Sequence, residues 1–496
     1  MEKDESYKQI VKSTGIVGGT QILNILIGIV RMKFLAILLG PSGVGMAGIF
    51  QTIIDLVRDA TGFGINFSGV KNIAEVSGSD DKNKVSKTIT ILRRWALGTG
   101  LLGMVIIVAF SSIFSLHSFG STNQTQSIIF LSIIVLTSSI SASQVALLQG
   151  LRKISQMAQA NLFGTLFGTA ISMPLYYVYG INGIVPGMIL TSIGAMAISW
   201  IYARKIKVEN LSISFIETIK GGIGMAKLGF FIVVNGFLAT LSMYIIRSFL
   251  VKKGGIEMVG YFQAVMTIST VYMNVLLHAM LADYFPRLTL VQNDNVKSNK
   301  LINEQLEITL LIGTPMLIAV IIFAPIGINI LYSSSFSVAV PVLRWQMAGS
   351  FFTLVSWPLG VLYLAKNAGW YAVITETFRQ CVYIGLLYFL WNFYKFESIG
   401  IGFFIASFLN MIFVILSLKK ISNFVFSTVN FKYIVFLGIS VVLTLFISSQ
   451  LNMILSYILN CILLICIFYL CFIKLNTLTG IGSTIRTKFP LFKRNK

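Results

Sequence analysis

The segment GIVRMKFLAILLGPSGVGMAGIFQ, residues 28–51, decides the fold. Its first half is apolar apart from Arg31 and Lys33, and a glycine-bearing turn then leads into a second apolar run. A membrane-spanning helix needs about 20 mostly apolar residues, so the segment indicates the end of one span and the start of the next. A cation at the bilayer centre costs at least about 2.5–3.5 kcal/mol. Arg31 and Lys33 must therefore face a wet cavity, pair with an acid or reach the membrane surface.

The composition of the whole chain has the same character. Of its 496 residues, 56% are hydrophobic and 11% are charged, whereas about 25% are charged in an ordinary soluble domain. The mean hydropathy is +0.84. A soluble protein of this composition would expose large apolar patches, and a disordered chain would be far more polar. The sequence therefore predicts an all-α polytopic membrane protein.

Fourteen apolar stretches are long enough to be candidate membrane spans, and the thirteenth is the weakest because it is short. The loops on the predicted external side are all short. The candidate spans cover residues 14–39, 46–73, 95–116, 128–148, 158–179, 184–202, 225–250, 259–285, 306–331, 340–364, 370–391, 399–418, 433–448 and 453–472.

Basic residues are distributed unequally between the two sides of this topology. With the amino terminus in the cytoplasm, 29 of the 38 Lys and Arg residues fall in cytoplasmic segments, and only Lys252, Lys253 and Lys395 fall on the external side. This asymmetry follows the positive-inside rule and accounts for most of the net charge of +21. It predicts that both termini are cytoplasmic. The expected partners of these cations are anionic membrane lipids rather than nucleic acid.

A short motif occurs twice and indicates an internal repeat. Gly48-Ile-Phe-Gln51 opens the second span, and Gly260-Tyr-Phe-Gln263 opens the eighth, 212 residues later. We therefore predict two six-span lobes that bind cargo between them and rock around it. The predicted divisions are an N-terminal lobe at 1–205, a cytoplasmic linker at 206–222, a C-terminal lobe at 223–420, and two extra helices with a basic cytoplasmic tail at 421–496.

Lys71 and Lys227 lie at the cytoplasmic ends of their spans and are counted with the cytoplasmic segments. Six further cations lie inside predicted spans and are the first candidates for a cargo site. Arg31 shares a helix face with Asn24 and Gly28, as in a cavity wall or a helix contact. Lys33 and Arg247 lie nearer the outer ends of their spans and could instead extend to the membrane surface. Gln263 and Asn274 belong to a polar stripe of the eighth span. The stripe indicates either a face toward a cavity or hydrogen bonding between helices. The predicted substrate-binding residues are Asn24, Arg31, Lys33, Arg58, Arg247, Gln263 and Asn274, and the other two cations are Arg344 and Arg379.

Three acids inside spans are candidates for ion coupling. Asp55 and Asp59 lie one helical turn apart in the second span, with Arg58 between them. They form either a structural ion pair or a group in which Arg58 binds a cargo anion while an acid exchanges protons. Glu376 is the third acid, and Arg379 one turn away could neutralise it. The chain has no nucleotide-binding or metal-binding motif, so we predict no cofactor and expect transport to use an H+ or Na+ gradient, or the gradient of the cargo.

Residues 28–45, with Gly48-Ile-Phe-Gln51 and Gly69-Val-Lys-Asn-Ile-Ala-Glu75, resemble the first-span signature of bacterial Wzx O-antigen flippases. The segment Ser333–Phe336 is also similar to this family. These flippases belong to the multidrug/oligosaccharidyl-lipid/polysaccharide exporter superfamily. The resemblance implies a V-shaped exporter fold with a central cavity, located in the bacterial inner membrane.

The resemblance also implies a function. Such flippases move an undecaprenyl-diphosphate-linked oligosaccharide from the cytoplasmic to the periplasmic leaflet, and a polysaccharide polymerase and a chain-length regulator are the expected partners. The related lipid II flippase has arginines in its first two helices, which Arg31 and Arg58 match by spacing. That flippase has a further arginine in its eighth helix. The nearest counterpart in this sequence is Arg247, in the seventh span. Arginine suits a diphosphate because its planar fork binds phosphate oxygens in pairs.

Two other functions stay open on the sequence. A cation-coupled multidrug antiporter of the same superfamily would attract cationic drugs through acids in its cavity, whereas the first span carries Arg31 and Lys33 and no acid. A membrane-embedded glycan polymerase or ligase normally has a large external catalytic loop, and the predicted external loops are short. The sequence therefore favours a flippase, which is a transporter and not an enzyme.

Overall fold

The computed structural model of the protein describes residues 2–78, 81–209 and 211–479. Within these ranges it describes all side chains except those of residues 2–17, 66, 226–229, 231, 232, 278, 279, 282, 453 and 479. The basic tail predicted at the carboxyl end lies largely outside the described residues.

The described residues are predominantly helical and include no strand, which confirms the predicted all-α membrane fold. Three short 3-10 turns, at Gly180–Gly183, Ser334–Phe336 and Lys395–Glu397, lie between the longer helices. The α-helices are α1 Glu2–Thr61, α2 Ile65–Ser77, α3 Lys82–Phe119, α4 Thr125–Gly150, α5 Ile154–Tyr179, α6 Ile184–Ala203, α7 Phe215–Gly254, α8 Ile256–Leu290, α9 Asn295–Leu331, α10 Ala339–Ala365, α11 Gly369–Tyr394, α12 Ser398–Ser422, α13 Thr428–Gln450 and α14 Met453–Thr479.

Ten helical segments of the described chain are long and apolar enough to cross a membrane. Three of them contain two predicted spans each: Gly18–Thr61, Ile154–Ala203 and Gly369–Ser422, with 44, 50 and 54 residues. The eighth predicted span lies in α8, which is not one of the ten. Each of the other predicted spans lies largely within one of the ten segments.

The turn between the first two predicted spans lies inside α1, at Gly40. This residue has φ 62° and ψ −165°, a conformation outside the helical range. Glycine adopts a positive φ at little cost because it has no Cβ, and Pro41 after it has no N–H to donate to the preceding turn. α1 therefore consists of two helices joined at Gly40.

The predicted second span, residues 46–73, is wrong as a single helix. α1 ends at Thr61, and α2 begins at Ile65. Between them, Phe63 and Gly64 have φ values of 46° and 64°. Glycines on both sides of Phe63 permit this reversal of the backbone. The break places Arg58 and Asp59 in the last turn of α1, where a cation complements the partial negative charge of the helix end.

The chain divides into two compact units. The first contains residues 1–263 and 331–335, and the second contains residues 264–330 and 336–496. α7 thus belongs to the first unit, because it packs against α1, α2 and α3. The lobe boundary that the sequence predicts, at 206–222, stays a prediction.

The predicted linker 206–222 is anchored to α3 in the first unit. Arg94 Nη1 donates to the Ile213 carbonyl at 2.8 Å, and Trp95 Nε1 donates to the Thr218 carbonyl at 2.7 Å. Lys87 bonds Glu217 at 2.6 Å, and this bond holds the pKa of Glu217 below its usual range. The second half of the linker is already helical, since α7 begins at Phe215.

In the second unit, Arg344 holds α9, α10 and α13 together. Its Nη1 donates to the Ser448 carbonyl at 2.8 Å, close to the carboxyl end of α13, and its Nε donates to the Ile321 carbonyl at 3.3 Å. A cation near a helix carboxyl terminus is favoured by the helix dipole. Arg344 is therefore used in packing.

The two copies of the repeated motif meet in the first unit, where α1 and the start of α8 touch backbone to backbone. A Cβ at Gly45 would overlap the Ile256 carbonyl, and a Cβ at Gly260 would overlap the Pro41 carbonyl. Ser42 Oγ also donates to Glu257 Oε1 at 3.2 Å. Gly260, the first residue of the second motif, and Gly45, three residues before the first motif, are therefore required by the close approach of the helices.

Replacing Gly260 with alanine should destabilise this contact, because the new Cβ meets backbone, which cannot move aside like a side chain. Overpacking of this kind costs about 1–3 kcal/mol, so we expect a lower thermal midpoint of the purified protein. The matched control is Gly98→Ala in α3, where a Cβ meets nothing within 4 Å. Equal midpoints for the two variants would contradict the contact.

Candidate functional site

Asp55, Arg58 and Asp59 of the second predicted span form one cluster in the last turns of α1. Arg58 Nη2 lies 2.8 Å from Asp55 Oδ1 and 3.7 Å from Asp59 Oδ1. Gln51 Nε2 donates to Asp55 Oδ1 at 3.1 Å, and Thr240 Oγ1 donates to Asp59 Oδ2 at 2.7 Å. Arg58 therefore holds Asp55 closely and Asp59 loosely. The side chain of Arg58 keeps 40% of its surface exposed.

Arg247 of α7 joins the two copies of the repeated motif. Its Nη1 donates to the Gly48 carbonyl and to the Thr52 hydroxyl of α1, and its Nη2 donates to Gln263 Oε1 of α8. The residue is 7% exposed, so it does not extend to the membrane surface. Its terminal nitrogens are engaged by protein acceptors. The predicted neighbours Arg247 and Gln263 are thus brought together.

A cavity of about 330 Å³ lies against this bridge in the first unit. Both signs of charge line it, with Asp55 on α1 and Arg247 on α7. The lining residues are Gln51, Thr52, Asp55, Ala239, Thr240, Met243, Arg247 and Gln263. Hydroxyl, amide, carboxylate and guanidinium groups thus converge on one space that a polar ligand can enter.

Arg31 lies on a more open part of α1. It is half-buried, and it makes no hydrogen bond or ion pair with any residue that the structure describes. A Cβ at Gly28, on the same helix face, would meet nothing within 4 Å. Asn24 Oδ1 is buried and has no donor in the described part of the chain. Lys33 is half-buried as well. This face of α1 therefore offers an unpaired cation and an unused acceptor.

The remaining two candidates lie in the second unit. Asn274 of α8 is exposed. Glu376 of α11 accepts from Arg379 Nη2 at 2.5 Å and Nε at 3.2 Å, and from Gln380 Nε2 at 2.6 Å. This bidentate pair is the neutralised arrangement that the spacing of Glu376 and Arg379 allows. It leaves the carboxylate little capacity for a further ion.

Sequence reasoning did not single out Thr52 of the site, nor the break that borders it. Thr52 lies four residues after Gly48, whose carbonyl its own hydroxyl also bonds at 2.9 Å. A hydroxyl next to the motif was the available signal. The alignment of Thr240 with Asp59 depends on how α7 packs on α1, which no local pattern contains.

Residues 34–341, more than half of the chain, match the model of a family described as polysaccharide biosynthesis protein. The chain belongs to this family. The matched region includes the bridge of Arg247, the cluster of Asp55, Arg58 and Asp59, and both copies of the repeated motif.

Individual proteins of known identity are also similar. The lipid III flippase of Escherichia coli (strain K12) is 21% identical over 353 residues, 70% of this chain and 83% of that protein. The structure of lipid II flippase MurJ in an inward closed conformation matches with a TM-score of 0.71 and 14% identity, covering 93% of this chain and 98% of that one.

An inward-facing multidrug resistance MATE family transporter of the MOP superfamily also matches, with a TM-score of 0.62 and 16% identity. The match covers 80% of this chain and 95% of that transporter. At these identities the matches show the fold. They confirm the predicted exporter fold.

In this member of the polysaccharide biosynthesis protein family, Arg247→Lys should weaken the bridge. A lysine keeps the charge but cannot serve three acceptors on two other helices with a planar fork. Hydrogen bonds from charged donors contribute about 1.5–3 kcal/mol each, so we expect a clearly lower thermal midpoint. Arg93→Lys, at an exposed arginine of α3, is the control and should leave the midpoint unchanged. The same small change in both variants would contradict the bridge.

Proposed function

We propose that the protein is a flippase for an undecaprenyl-diphosphate-linked oligosaccharide. Its cargo is an O-antigen repeat unit or the unit of a similar surface polysaccharide, moved from the cytoplasmic to the periplasmic leaflet by alternating access. Membership of the polysaccharide biosynthesis protein family and the likeness to a lipid III flippase support this proposal.

The observation that carries the proposal is the unpaired cation on α1. Arg31 has no partner among the described residues, although an unneutralised cation is expensive at membrane depth. A diphosphate would supply the missing counter-charge, and the guanidinium could bind two of its oxygens at once. Asn24, with its unused buried oxygen, lies two turns away on the same face and could accept from a sugar hydroxyl.

Arg58 is the second diphosphate ligand in this proposal. It is 40% exposed and borders a cavity, so cargo can reach it. Its charge is shared with Asp55 and Asp59, and we assign it a weaker role than Arg31. Arg247 would bind cargo only after leaving its three protein acceptors. Lys33 adds positive charge near Arg31, and Gln263 and Asn274 remain candidates for contacts with the glycan.

A cation-coupled multidrug antiporter is the second candidate, favoured by the fold that the chain shares with MATE transporters. Such a protein needs acids that are free to bind a cationic drug. Asp55 is paired with Arg58 and accepts from Gln51, and one oxygen of Asp59 accepts from Thr240. This leaves a single loosely held carboxylate oxygen, beside the Arg58 cation, which argues against binding of a large organic cation. Drug resistance on expression, independent of surface polysaccharide, would favour it.

The proposal includes a bacterial inner-membrane location, and a polysaccharide polymerase and a chain-length regulator as partners. It also includes coupling to H+ or Na+ through Asp55, Asp59 or Glu376. Of these acids, Glu376 is the weakest candidate because Arg379 and Gln380 already occupy its carboxylate.

Arg31→Ala should abolish or strongly reduce complementation of a strain that lacks its own flippase, with surface polysaccharide as the readout. Arg58→Ala should reduce it less. Arg31→Lys keeps the charge and should restore part of the activity, because lysine lacks the bidentate fork. The control is Arg93→Ala with matched membrane expression. Normal polysaccharide in both Arg31→Ala and Arg58→Ala would overturn the assignment.

The topology is tested by labelling single cysteines with a membrane-impermeant thiol reagent. The four native cysteines are first replaced by serine or alanine. A cysteine at Lys253 should then react in intact cells, since it lies on the predicted external side, and a cysteine at Lys84 should react only after the membrane is opened. The opposite pattern would invert the proposed direction of transport.

A further inference from the structure

A second cavity of the first unit lies at the break between α1 and α2. Its volume is about 240 Å³, which is enough for several water-sized groups. Five helices, α1, α2, α3, α4 and α7, and the break itself surround it. Its lining residues are Arg58, Asp59, Gly62, Gly64, Ile65, Ala96, Thr99, Ser139, Val233 and Gly236. Small residues make the space, and oxygen-bearing side chains face it.

Asp59 is the anionic group of this cavity. Its Oδ2 accepts one bond from Thr240, and its Oδ1 is 3.7 Å from Arg58 Nη2, beyond hydrogen-bond distance. Arg58 instead makes its close contact with Asp55. The negative charge on this oxygen of Asp59 is therefore only loosely compensated by the protein. The side chain is 27% exposed, so a small ion can reach it.

Ser139 of α4 is an independent indication of a ligand. It lines the cavity and is 5% exposed, yet its hydroxyl makes no hydrogen bond within the described part of the chain. Thr99 of α3 lines the same cavity and is 6% exposed. Its hydroxyl donates to the Trp95 carbonyl at 2.8 Å, so its lone pairs stay available. A hydroxyl that faces a cavity and has no protein partner keeps its lone pairs available for a ligand.

The end of α1 adds to this negative environment. The last carbonyl groups of a helix have no following turn to bond, and they carry a partial negative charge. Breaks of helices in transporters place such carbonyls where they can coordinate cations. Here the chain reverses at Phe63 and Gly64, directly beside Asp59.

We propose that this cavity binds a small monovalent cation, Na+, through Asp59, Ser139 and Thr99. The donors are one carboxylate and neutral hydroxyls, which suit a hard, singly charged ion. The described residues contain no group of three or more His, Cys, Asp and Glu that could hold a metal ion, so a divalent or transition metal lacks its ligands. This site deepens the ion coupling of the proposed function and rests on it.

Arg58 connects this cation to the cargo site. Arg58 and Asp55 are the other charged groups that face Asp59 in the described cluster. A Na+ bound to Asp59 Oδ1 replaces the weak attraction that holds Arg58 there. The guanidinium then keeps only its contact with Asp55 and is freer to bind an anion. Cation and diphosphate would thus favour each other's binding, since such coupling is reciprocal.

The test measures Na+ binding to the purified full-length protein, without transport. The thermal midpoint should rise with Na+ and not with choline at equal ionic strength, because a ligand that binds only the folded state stabilises it. Asp59→Asn should abolish the Na+ effect. Ser139→Ala leaves all charges in place and should weaken Na+ affinity about tenfold, the loss of one ion–oxygen contact.

The matched control is Ser138→Ala, next to Ser139 on α4. The Ser138 hydroxyl already donates to the Val135 carbonyl at 3.1 Å, and its loss should not change Na+ affinity. No Na+ effect in the unmodified protein, an equal effect in Asp59→Asn, or an equal loss in both serine variants would overturn the site. Stabilisation by acid alone would assign a proton instead and also overturn it. Intact Na+ binding by a protein that fails to complement would contradict the proposed flippase function and not the Na+ site.

Discussion

The bridge made by Arg247 shows the constraint on which this structure depends: inside an apolar environment, a charge that finds no partner in the protein is costly. One guanidinium bonds Gly48 and Thr52 of α1 and Gln263 of α8. Gly45 and Gly260 allow the backbones to come close enough for this. The repeated motif is therefore a contact between two helices as well as a sign of internal repetition.

The same constraint separates the cations at membrane depth that have partners in the protein from those that are available for a ligand. Arg344 and Arg379 are committed to packing and to an acid, and Arg247 to the bridge. Arg58 is shared between two carboxylates, and Arg31 is unpaired among the described residues. Charge that the protein leaves uncompensated is available for a ligand. Among the sites of these cations, the face of α1 around Arg31 is thus the most suited to an anionic cargo.

The helices were largely predictable because a span is a local property of about 20 apolar residues. The break at Phe63 was not predicted, because a hydropathy pattern does not register a positive φ. Gly62 and Gly64 on either side of Phe63 were the available signal. The start of α7 at Phe215 was also missed, because its capping box, Ser214 with Glu217, lies in a segment that charge alone indicated as linker. For the site, the sequence found the ionisable residues and not their neighbours.

The sequence by itself determined the membrane class, the positions of most spans, the exporter fold and the set of charges at membrane depth. The membrane class, the spans and the set of charges follow from composition and from spacing along one helix, whereas the exporter fold follows from the resemblance of segments within residues 28–75 to a known family. Only the tertiary structure decided which of these charges are paired, that Arg247 is buried in a bridge, and that Ser139 and Asp59 share a cavity. Those facts depend on which helices touch. The partners are separated by up to about 200 residues, as in the bond of Arg247 to Gly48, and no local pattern specifies such distances.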